Sequence, residues 1–162
     1  MTLAQAIKTA QLRLGAVTET PRLDAEWLLE HVTALSRTQL FLRADAEFDA
    51  AQSERYFDLV DRRARGEPLA YLVGERGFWS LTLEVSPDVL VPRPETELLV
   101  EWGLQLLAAR SQPLIADLGT GSGALALALA SERRDARVVA TDVSPAALAV
   151  AARNAARLGL TQ

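Results

Sequence analysis

The sequence predicts a mixed α/β chain: a helical N-terminal domain, a β-hairpin connector, then the first half of a parallel-sheet, nucleotide-binding domain. Three observations carry this. Residues 3 to about 66 repeat apolar positions at helical spacing. Between Glu75 and Val85 the period shortens to two. From Leu114 a short apolar run ends in three alternate glycines and passes into a helix of alternating alanine and leucine. The domains are expected at 1–72, 73–91 and 92–162.

The helical part opens with a capping-box pattern, Thr2 and Gln5, ahead of the stripe Leu3, Ala6, Ile7, Ala10 and Leu14, with Gly15 as the stop. Thr20-Pro21 starts the next helix, whose buried face should be Leu23, Trp27, Leu28, Val32 and Leu35. A short helix near Arg37–Arg43 carries Leu40 and Phe41. The fourth runs from about Ala50 to Arg65, with Tyr56, Leu59 and Val60 inward and Gly66 at its end. His31 has no second histidine or cysteine near it in the chain and is expected to be a partly exposed helix residue. Arg62, Arg63 and Arg65 sit where a helix C-terminus favours cations; docking of an acidic partner is the functional alternative. Trp27 and Trp102 fall on apolar stripes and are expected in the core.

From Gly66 to Gly74 the chain is expected to be a turn-rich connector. Glu75–Phe78 and Leu81–Val85 then form a hairpin, with Leu81, Leu83 and Val85 inward. Pro92-Arg93-Pro94-Glu95-Thr96-Glu97 opens a helix with acids in its first turn, and Leu98, Leu99, Trp102 and Leu106 should face inward. An arginine between two prolines is less easily explained as a helix start. That stiffened, charged loop, with Arg93 and Glu95, is a candidate lid or site wall.

Leu114-Ile115-Ala116-Asp117-Leu118-Gly119-Thr120-Gly121-Ser122-Gly123 is the centre of the functional reading. Glycines without a Cβ let the backbone turn tightly and approach a ligand, and the N–H groups at the following helix start face polar ligand atoms. A second strand, Arg137–Thr141, ends on Asp142, nineteen residues past Gly123. An acid at that spacing reaches ribose hydroxyls. Ser144-Pro145 then opens a helix. A ribose-containing cofactor is therefore expected. Gly119, Gly121 and Ala124 also satisfy the dinucleotide spacing, which leaves an NAD-dependent oxidoreductase open. S-adenosylmethionine is favoured by Asp117, placed to accept from a cationic amine, and by the third glycine, Gly123. The run Asp117–Gly123 resembles the first motif of class I methyltransferases.

Bulk composition narrows the class. With 162 residues, 49% hydrophobic and 23% charged, the chain can bury a core. No apolar run approaches the ~18 residues of a membrane span, and the N-terminus lacks a signal-peptide pattern. The cytoplasm is the expected compartment, without membrane association. Cysteine is absent and histidine occurs once, so no metal site is expected. A net charge of −4 argues against direct nucleic-acid binding.

Three further stretches, Gly66–Gly74, Phe78-Trp79-Ser80-Leu81 and Val91-Pro92-Arg93-Pro94-Glu95-Thr96-Glu97, precede Asp117–Gly123 in an order and spacing that resembles the HemK-type release-factor glutamine methyltransferases. That resemblance implies a Rossmann-like class I S-adenosylmethionine-dependent methyltransferase domain. It implies methyl transfer to the side-chain amide nitrogen of the Gly-Gly-Gln glutamine of class I peptide chain release factors. It also implies an N-terminal helical domain that docks the release factor. Asp117, Gly119, Thr120, Gly121, Ser122 and Gly123 would contact the cofactor and Asp142 its ribose. The family's Asn-Pro-Pro-Tyr motif does not occur in these 162 residues, so no catalytic residue is assigned. The chain is expected to be the first half of such an enzyme, inactive alone. A methyltransferase acting on another substrate, or a non-catalytic release-factor-binding fragment, are the remaining alternatives.

Overall fold

The computed structural model describes residues 1–161. They form two compact units, Met1–Val73 and a second beginning at Gly74. The first is all helical: α1 (Leu3–Leu14), α2 (Pro21–Thr33), α3 (Arg37–Leu42), α4 (Ala50–Ala64) and α5 (Leu69–Val73). The capping box at Thr2 and Gln5 is formed, and the next two orphan amides of α1, Leu3 and Ala4, donate to the carbonyls of Ala46 and Ala44. Leu14, Leu28, Leu29, Tyr56 and Val60 fill the core. The Tyr56 hydroxyl donates to the buried Ala25 carbonyl, and burial pushes its pKa up.

Three expectations need correction here. Trp27 is 41% exposed, because α2 turns Ala25, Leu28, Leu29 and Val32 inward and leaves position 27 on the flank. The stretch 69–73, read as connector, is the helix α5, which buries Ala70 and Leu72. Gly15 ends α1 in right-handed geometry, so its conformational freedom is not what stops the helix. Arg62 and Arg63 serve the unit's own structure: Arg62 binds Glu67 through Nε and Nη2, and Arg63 pairs with the buried Asp24 at 2.8 Å.

The second unit begins with an antiparallel hairpin, β1 (Glu75–Phe78) and β2 (Leu81–Glu84). Its turn residue Trp79 has φ +55°, unusual for a bulky side chain. Two carboxylates hold it there. The Trp79 amide donates to Glu97 at 2.8 Å, and its indole N–H to Glu132 at 2.7 Å. A 3₁₀ turn, Pro94–Thr96, leads into α6 (Glu97–Leu107). Then β3 (Leu114–Leu118), α7 (Ala124–Glu132), β4 (Arg137–Thr141) and α8 (Pro145–Leu158) follow. β3 and β4 are parallel, with Ile115 opposite Val138 and Asp117 opposite Ala140. Among the described residues no helix is long and apolar enough to cross a membrane.

The inward face expected for α6 is its outward one. Leu98, Leu99, Trp102 and Leu106 are all at least half exposed, while Val100 is buried and Leu104 packs into the core. The cause is Gly103: a Cβ there would stand 3.2 Å from a Leu129 methyl, so α7 approaches on the side where α6 is smallest. The helix is apolar on both sides, and periodicity alone could not choose between them. The sheet shows the same asymmetry. Ile115 packs into the core, whereas Leu114 and Leu118 on the other face are 71% and 79% exposed. Parallel strands ordinarily have both faces covered.

Leu28, fully buried, should cost roughly 2–5 kcal/mol when cut to alanine; chemical denaturation of the helical transition measures it. The bare face of β3 and its second edge should make the chain associate with rising concentration. Light scattering should show that association falling in Leu114→Lys.

Candidate cofactor site

The carboxyl ends of β3 and β4 carry the site, and the local hydrogen bonds explain its shape. After Leu118 the amides of Gly119 and Thr120 both donate to the Thr141 carbonyl at 2.9 Å, so the loop folds back over the end of β4. Gly119, Gly121 and Gly123 all have positive φ, between 56° and 86°. Side chains at 119 and 121 would be strained by that backbone alone, and a Cβ at either would meet no protein atom within 4 Å. The loop thus has open space beside two glycines. Gly123 differs: a Cβ there would strike Leu127 at 2.9 Å, so its role is helix packing at the start of α7.

The structure brings Asp117, the loop and Asp142 together. The Asp117 carboxylate accepts from the Thr120 hydroxyl at 2.6 Å. Thr120 and Ser122 are buried, so their side chains build the loop from within. Asp142 accepts from the Ser144 amide through one oxygen and the Gly121 amide through the other, both at 2.9 Å. The backbone amides of Ser144 and Gly121, with a smaller contribution from that of Val143, hold its pKa below the ordinary carboxylate value. Each oxygen keeps a second lone pair for a ligand hydroxyl. Arg93 and Glu95 are exposed, and among the described residues no hydrogen bond or ion pair joins either to the loop.

One residue that sequence reasoning missed stands behind the site. Asn154 of α8 is buried, and its amide makes three hydrogen bonds. It accepts from the Glu84 amide at 2.7 Å and donates to the carbonyls of Glu84 and Ser122 at 2.9 Å. One side chain thereby fastens the edge of the hairpin to the glycine loop. Its neighbour Arg153 adds an ion pair to the Glu84 carboxylate at 2.7 Å, which holds that acid below its ordinary pKa. An asparagine among the alanines of α8 was the only signal available in the sequence.

With this geometry established, similarity to known proteins becomes informative. Residues 5–74 match the PrmC N-terminal domain family, and residues 115–162 match a methyltransferase domain family. A release factor glutamine methyltransferase of Coxiella burnetii is 50% identical over 155 residues, covering 96% of this chain and 56% of that protein. One from Burkholderia pseudomallei is 56% identical over 136 residues, 84% of this chain and 48% of that protein. One from Escherichia coli is 50% identical over 143 residues, 88% and 51% respectively. The chain is related to the release factor glutamine methyltransferases. It spans about half the length of the curated relatives it matches. The resemblance read from the residues holds, and so does the fold class: a helical domain, then the strands and helices of a methyltransferase domain.

Asn154→Ala should destabilise the second unit by roughly 1–3 kcal/mol, because it strips partners from buried backbone groups at Glu84 and Ser122. Urea denaturation of wild type and variant gives the value. The pH dependence has a definite sign. Glu84 and Asp142 have folded pKa values below their unfolded ones, so their stabilisation is complete above the unfolded values and is lost as pH falls through the folded ones. The thermal unfolding temperature should therefore fall below about pH 4, and less steeply in Asp142→Asn.

Proposed function

We propose that this chain provides the docking domain and the cofactor-binding half of an S-adenosylmethionine-dependent methyltransferase. Its acceptor is the glutamine amide nitrogen of the Gly-Gly-Gln motif in class I peptide chain release factors. Residues 1–72 are the docking domain, 73–91 the hairpin connector and 92–162 the first part of the catalytic domain. The cytoplasm is the compartment that goes with this reading. The observation that carries the cofactor assignment is the loop: two glycines with positive φ and open space at their Cβ positions, beside a carboxylate with free lone pairs.

In this reading Gly119 and Gly121 let the backbone lie against the cofactor. Asp117 sits at the end of β3 to accept from its cationic amine, and Asp142 accepts from its ribose hydroxyls. Thr120, Ser122 and Gly123 keep the loop in shape. S-adenosylmethionine supplies a methyl already activated by its sulfonium, so the chemistry calls for no metal. A glutamine amide nitrogen is a poor nucleophile because its lone pair is delocalised into the carbonyl. The protein's task is to hold that nitrogen in line with the methyl and to give its N–H groups acceptors. No residue among those described is assigned to that second task. Arg93 and Glu95 remain proposed as a lid or site wall.

Calorimetry with S-adenosylhomocysteine and with NAD, on this chain and on any longer form of the polypeptide, tests the assignment. Where S-adenosylhomocysteine binds, Asp142→Ala should weaken it by roughly 1.5–3 kcal/mol, the scale of hydrogen bonds to a charged group. Gly121→Val should weaken it more, since it strains the loop and fills the open space. Binding of NAD in place of S-adenosylhomocysteine would transfer the site to an oxidoreductase.

A further inference from the structure

The helical unit carries a groove that the cofactor site does not use. It lies between α1, α2 and α3 and has a volume of about 640 Å³. Its floor is an unusual group, the carboxylate of Glu26, buried although it stands on a helix of a small domain. Burial of a carboxylate is costly unless cations answer it. Here two do: Arg22 Nε binds Oε1 at 2.8 Å, and Arg37 Nε sits 2.7 Å from Oε2, off the hydrogen-bond line. Each arginine uses only its Nε, and both side chains are about two-thirds exposed. Among the described residues, the Nη groups of Arg22 and Arg37 have no acceptor and the Lys8 ammonium has no acid beside it.

The groove therefore presents three cations over one acid, on a chain whose net charge is −4. Its other wall is apolar: Ile7, Leu40 and Phe41, the last 77% exposed. An exposed phenylalanine beside unanswered guanidinium donors fits a partner that brings a carboxylate and an apolar side chain together. Three cations on a negatively charged chain are too few to hold a phosphate backbone.

We propose that this groove is where the protein substrate docks, an acidic side chain seated among Lys8, Arg22 and Arg37 and an apolar neighbour against Phe41. The proposal rests on the reading above, in which that substrate is a class I release factor, and adds the surface and the chemistry of recognition. Arg22 and Arg37 also answer the buried Glu26, so reversing them would damage the fold. Lys8 and Phe41 are exposed and can be changed without that cost.

The test is fluorescence anisotropy with a labelled, purified class I release factor and the whole chain, at low and high salt. Lys8→Glu should weaken binding about tenfold, equivalent to about 1.4 kcal/mol, and Phe41→Asp by as much. Arg55→Glu on α4, also exposed and outside the groove, should leave it within about twofold. Added salt should weaken wild type more than Lys8→Glu. Wild-type affinity in both Lys8→Glu and Phe41→Asp would overturn the groove and leave the release-factor reading standing. No binding by the wild-type chain would overturn the partner itself. Binding of single-stranded RNA in a Lys8-dependent way would replace a protein occupant with a nucleic-acid one.

Discussion

The second unit depends on one contact, the Asp142 carboxylate bridging the amides of Gly121 and Ser144. It lies where two parallel strands end and joins the loop after the first to the helix after the second. Parallel neighbours cannot share a hairpin, so the loops at their carboxyl ends need contacts beyond a shared turn to hold them. A residue at the end of β4 is well placed to do so. The same carboxylate that fixes the loop has lone pairs left to face a ligand. In the function proposed above, loop shape and ligand recognition are thus coupled through a single side chain.

Asn154 extends that coupling away from the strand ends. By bonding the Glu84 backbone and the Ser122 carbonyl it puts the hairpin, α8 and the glycine loop in one network. Glu97 and Glu132 do similar work at the far end of the hairpin, where they hold Trp79 at a positive φ. The Pro-Arg-Pro-Glu-Thr-Glu stretch therefore has two characters. Its last glutamate turns inward to the hairpin, while Arg93 and Glu95 stay in solvent. A charged motif read from sequence as one loop divides into a structural part and a part free to meet something else.

Legibility in the sequence followed the range of the interactions. Caps at Thr2, Ser36 and Ser144, the hairpin register and the strand–glycine–helix unit rest on neighbours within a few residues, and pattern reading found their elements. The distribution of burial on α2 and α6 did not follow, because both helices carry apolar side chains on more than one face. There the decision was tertiary: Gly103 let α7 approach, and Trp102 was left 60% exposed. The loop and Asp142 were visible as candidates. Asn154 was not, since nothing within α8 distinguishes a buried asparagine from an exposed one. Arg62 and Arg63 were visible as a cluster, yet their acids, Glu67 and Asp24, are identified only by the fold.

The two units solve the problem of burial differently. The helical unit closes on itself: its core residues are buried within one set of helices, and even its buried acidic side chains Asp24 and Glu26 find cations inside the unit. A helix satisfies its own backbone and asks its neighbours only for apolar cover. A parallel strand asks for more, since it needs hydrogen-bonded neighbours along its edges and cover on both faces. β3 has one neighbour among the described residues and cover on one face. The exposed side chains Leu114 and Leu118 are the consequence. The glycine loop at the end of β3 draws its shape from the covered side, through Thr141, Asp142 and Asn154. That is why the loop has a defined geometry although one face of its strand lies bare.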